Sequence, residues 1–119
     1  MSSHFISLEK AIILNERFRN KKEAILDPEF KRMDVLPICE TFKRNAFDDL
    51  LSQDGCVGIR FYLGMDDEFK VVLVAVGVNE NDEDMLPVSE DFLTDENKIL
   101  ENGYRCPTTC PPPSVLNLS

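Results

Sequence analysis

The chain has 119 residues, 43% of them hydrophobic, and a formal net charge of −9. That length supports one domain with a single core and no obligatory disulfide, and the apolar content is too high for a disordered chain. The longest apolar run, Val71 to Val78, is far too short to span a membrane, and the acidity argues against nucleic-acid binding, which draws its affinity from neutralising phosphate.

The charge is unevenly placed. Residues 1–64 hold ten acids and ten Lys or Arg, whereas residues 65–119 hold twelve acids against Lys70, Lys98 and Arg105. A mixed charged segment follows Met1 to Phe5, so no secretory signal is read there, and the bacterial cytoplasm is the expected compartment.

In chain order, Ser7 is placed to cap a helix running to about Leu26, stopped by Asp27-Pro28 because the residue before proline leaves the helical region. Ala11, Leu14, Phe18 and Ile25 recur at helical spacing and are expected to face the core. Arg17, Arg19, Lys21 and Lys22 lie mostly off that stripe, on a solvated basic face. The segment Val35 to Phe42 is extended in character. Pro37 lacks a donor, so this is an edge strand or a strand that starts after it. Arg44 to Gln53 predicts a short helix with Phe47, Leu50 and Leu51 inward, closed by Asp54-Gly55.

The centre of the fold is a hairpin, residues 57–63 and 69–78, joined by the polar turn Gly64 to Glu68. Val71 to Val78 is apolar at both parities, so both its faces should be covered. Pairing Leu63 with Phe69 and Phe61 with Val71 puts the odd-numbered apolar side chains on one face, against the two helices. The opposite face carries Gly58, Arg60, Tyr62, Lys70, Val72, Val74 and Val76. The fold class expected is α+β: two helices on one face of a small antiparallel sheet.

Asn79 to Asp84 reads as an acidic loop, and Glu90 to Leu93 has the pattern of one helical turn. Asn102-Gly103 is a favoured hairpin turn, which predicts a second hairpin between Ile99–Glu101 and Tyr104–Cys106. Residues 106–119 form a proline-rich extended tail of the single domain 1–119.

The chemistry available is limited. Cys39, Cys56, Cys106 and Cys110 lack the paired two-residue spacing of zinc ribbons, so less than stoichiometric zinc is expected and no cofactor is assigned. Cys106 and Cys110 are a candidate thiol pair: a local disulfide is chemically accessible, but a reducing compartment opposes it, and the favoured reading is free thiols, with Cys39 and Cys56 buried as small apolar side chains. The lone histidine, His4, offers no base for a Cys-His or Ser-His pair. The acidic loop lacks the glycine and glutamate positions of a calcium loop. Arg60, alternating with apolar residues, calls for an anion. That anion is either an acid from residues 79–101 or, with Tyr62, a bound ligand or partner. Val72, Val74 and Val76 form a candidate apolar interface strip beside them.

Gly55, Cys56, Gly58, Ile59, Arg60, Tyr62 and Gly64, then Val76-Gly77-Val78, then Cys106, Pro107 and Cys110, resemble a family of small uncharacterised bacterial proteins. The shared pattern is Gly-Cys-x-Gly-Ile-Arg-x-Tyr-x-Gly, then Val-Gly-Val, then Cys-Pro-x-x-Cys. It covers about residues 35–112 and implies no activity.

The expected function is that of a non-enzymatic acidic interaction protein whose partner is another protein or a second copy, with a homodimer favoured. One alternative is an immunity- or inhibitor-type protein that binds a basic partner, steered by the acidic half. Another is an enzyme with a thiol or carboxylate site that no spacing locates.

Overall fold

The computed structural model describes residues 4–88 and 96–118. Among these residues are two α-helices, α1 (Leu8–Lys21) and α2 (Arg44–Leu51), and six strands. These are β1 (Cys39–Thr41), β2 (Gly58–Met65), β3 (Val71–Val78), β4 (Asp84–Met85), β5 (Ile99–Leu100) and β6 (Tyr104–Cys106). All strand pairs are antiparallel, and the fold is a small α+β structure. Among the described residues, no helix is long and apolar enough to cross a membrane.

The Ser7 hydroxyl accepts from Lys10 N–H and starts α1, as expected of an N-cap serine. The helix ends at Lys21 rather than near Leu26, and the chain continues in turns up to Pro28. None of its residues is buried. Leu14, Phe18 and Ile25, expected in the core, are exposed, which corrects that reading. In α2, Leu50 is fully buried and Phe47 partly so, whereas Leu51 is half exposed instead of facing inward. Gly55 follows in a left-handed conformation (φ 85°), a backbone that glycine adopts without steric cost.

Strand β3 is the centre. One edge pairs with β2 along eight residues, and the other pairs with β5 at Ala75–Val76 and β4 at Gly77–Val78. The hairpin register differs from the expected one: Leu63 faces Leu73, Phe61 faces Ala75 and Ile59 faces Gly77. The reason is a turn of the same length set two residues further along the chain, with Met65 and Val71 as its last pair. The Asp66 carboxylate accepts from Glu68 N–H and Lys70 N–H, and Phe69 takes a positive φ, so each β2 residue meets a partner four residues further along β3. Because the slip is even, every side chain keeps its face.

α2 packs on the odd-numbered face, and α1 borders it only through Phe18. The Phe47 ring is 6.1 Å from Phe61, and Phe18 shares an apolar cleft of about 310 Å³ with Leu36, Ile38, Leu63 and Leu73. The second hairpin does not form as expected. β5 joins β3 and β6 joins β1, with Cys39 opposite Cys106. Arg105 holds this junction, donating to the carbonyls of Val71 (2.9 Å), Val35 (2.8 Å), Pro107 (3.2 Å) and Asp34. The predicted turn at Glu90–Leu93 lies outside the described residues.

Candidate interaction surface

Arg60 projects from the even-numbered face of β2 into the acidic loop. Its guanidinium pairs with Asp84 Oδ1 at 2.6 Å and with the Asp82 carboxylate. The Tyr62 hydroxyl donates to the other oxygen of Asp84. Alternation along β2 places Arg60 and Tyr62 on one side of the strand, and the β3–β4 pairing brings Asp84 beside them. The loop itself is shaped by Asn79, whose side-chain oxygen accepts from Asn81 N–H and Glu83 N–H. Asp82 turns through a positive φ. The anion expected for Arg60 is therefore met within the chain by Asp82 and Asp84.

This cluster carries a pH signature. The Asp84 carboxyl is held below its ordinary 3.8, first by the Tyr62 hydroxyl and then by Arg60. The same bond pushes the Tyr62 phenol above its ordinary 10.0. A carboxyl depressed in the folded state adds stability above its unfolded value and loses that contribution as pH falls through its folded value. Asp84→Asn is accordingly expected to flatten the loss of stability below about pH 4. Urea unfolding at neutral pH and at about pH 3 checks this, and an unchanged acid dependence in the variant would refute it.

Cys106 and Cys110 are joined by a disulfide, while Cys39 and Cys56 are free and partly buried. Cys106 is 1% exposed and Cys110 is open to solvent. Among the described residues, no group of three or more metal-ligating side chains converges.

The strip of Val72, Val74 and Val76 is less open than expected. Val76 is closed off within the single chain, and Val72 and Val74 are half-buried. The open apolar surface lies on the other side of the hairpin. Phe61, Leu63 and Met65 of β2 are 48%, 79% and 58% exposed, and Phe69 beyond the turn is half exposed. Ile13, Leu14 and Phe18 of α1 add to the exposed apolar area. Periodicity identifies these side chains as apolar, and it says nothing of what covers them.

The outer edge of β2 is also open. Val71 N–H donates to Val35 and Leu73 N–H to Glu40, both away from β2, whereas Asp66 N–H bonds Lys70 across the hairpin. Even-numbered residues of the hairpin therefore exchange the ladder bonds. Odd-numbered Ile59, Phe61, Leu63 and Met65 aim their backbone groups outward. Among the described residues, none of these outward groups has a hydrogen-bond partner. The signal in the sequence was the hairpin's alternation, which sets which residues share a face but not which strand, if any, lies beyond its first arm.

No family model, curated protein or solved structure matches this chain.

Proposed function

We propose that this protein is a non-enzymatic interaction protein that works by self-association. One observation carries the reading: the accessible surface of the single chain is 9041 Å², against about 6,500 Å² for a folded monomer of this mass. The radius of gyration, 16.4 Å, likewise exceeds the roughly 13.5 Å of a compact chain of this length. The excess, about 2,500 Å², is larger than the roughly 800 Å² per partner of a standard interface. Large apolar side chains of β2 and α1 are among the exposed ones, and monomers rarely leave a contiguous apolar patch bare.

A bacterial, cytoplasmic setting belongs to the same proposal. The Cys106–Cys110 bridge is the feature least suited to it, since a reducing cytosol keeps thiols free. The acidic half serves solubility in this reading, as a strong net charge does.

Sedimentation equilibrium on the purified protein tests the proposal. A dimer or higher species at about 10 micromolar is expected, an ordinary strength for an interface of this size. A monomer persisting to about 100 micromolar would overturn it.

A further inference from the structure

We propose that the outer edge of β2 is a strand-pairing site for the β2 edge of a second copy, so that two hairpins join into one continuous antiparallel sheet. The inference rests on the self-association reading and names its contact.

Three observations carry it. First, β2 is eight residues long and its outward backbone groups at Ile59, Phe61, Leu63 and Met65 are unpaired among the described residues. Unpaired edges of that length template pairing with another chain, and proteins that stay monomeric blunt them with lysine, proline, a bulge or a covering element. Second, among the described residues none of those devices is seen on β2. Its one charged side chain, Arg60, is held by Asp82 and Asp84 on the even-numbered face. Third, the strand is self-complementary about a two-fold axis at Tyr62. That axis sets Phe61 opposite Leu63 of the partner subunit, and Ile59 opposite Met65 of the partner subunit. All four outward positions are used, giving about eight hydrogen bonds in the alternating antiparallel pattern. The odd-numbered face then presents only apolar cross-strand pairs, which stabilise a sheet. Arg60 falls opposite Gly64 of the partner subunit, so no like charges meet.

A second copy fits the area as well. The surplus surface of the single chain exceeds what a stable dimer needs, and β2 contributes exposed Phe61, Leu63 and Met65 to it. A foreign peptide could use the same backbone groups, but it would leave the two-fold match of β2 with itself unexplained.

Phe61→Pro removes one outward N–H, a donor the hairpin does not use, and proline is tolerated on an edge strand with that group facing out. Leu63→Lys places a charge on a side chain already mostly in water and opposes pairing in the way natural edges do. Each variant is expected to keep its circular dichroism and weaken the dimer by roughly 30-fold or more. Tyr62→Cys is expected to form a covalent dimer on mild oxidation, because the axis brings that position against its own copy, whereas Ser52→Cys at the exposed C-cap of α2 is not. A wild-type dimer that both Phe61→Pro and Leu63→Lys leave intact would overturn the β2 contact while self-association stood. A wild-type monomer would remove both readings. Should Phe61→Pro fail to fold, the Leu63→Lys and Tyr62→Cys results decide.

Discussion

Leu50→Ala is expected to destabilise the protein by about 2–5 kcal/mol, the range for emptying a fully buried leucine site. Leu50 has no exposed surface and is one of only six buried apolar residues among those described. It sits on α2, the helix whose Phe47 meets the hairpin at Phe61. A core this small has little to collapse into the cavity, which places the expectation in the upper part of that range. Urea denaturation of wild type and variant, with slopes compared to confirm a common unfolded state, measures the difference. A loss under about 1 kcal/mol would show that α2 contributes little to the cooperative unit.

Gly77→Val carries the second large effect. A Cβ at Gly77 would lie 2.8 Å from the Gln53 amide nitrogen and 2.9 Å from Cys56 Sγ, with Met85 Sδ at 3.6 Å behind them. Gln53 is buried, and its side-chain oxygen already accepts from Lys98 N–H at 2.7 Å. It cannot retreat without breaking that bond. Overpacking of a closed site costs about 1–3 kcal/mol, and the lost hydrogen bond adds roughly 1 kcal/mol. Combining Gly77→Val with Gln53→Ala should cost less than the sum of the two single changes, because shortening Gln53 makes the room. Strict additivity in that double-mutant cycle would place the strain elsewhere.

The class of fold was readable because alternation and helical spacing report directly on which residues share a face. The hairpin faces came out right although the pairing did not, since an even slip preserves parity. The turn falls two residues later than expected because Asp66 closes it by accepting two backbone N–H groups, a local competition that composition alone does not rank. Arg60 was legible as one half of an ion pair, because a guanidinium among valines needs a carboxylate. Which carboxylates it meets depended on β4 returning beside β3. The stripe of α1 was readable as apolar, but its exposure was not, because covering it requires tertiary neighbours that no local pattern encodes. Arg105 was counted as a charge, whereas the structure uses it as a tie among four carbonyls. Asn102-Gly103 signalled a turn, and Asn102 does adopt a positive φ, but the arms on either side pair with different strands.

That division of arms sets the order in which the molecule can be assembled. β2 and β3 meet across a short turn and need only local chain, an event of about 1–10 microseconds for an isolated hairpin. β1 and β6 cannot meet until Cys106 has been synthesised to face Cys39, and closing so long a loop carries an entropic cost that only the finished contacts repay. A chain still emerging from the ribosome is therefore expected to offer a formed hairpin with a bare edge before its C-terminal tie exists. Neighbouring nascent chains on the same messenger would be the first surfaces that edge encounters.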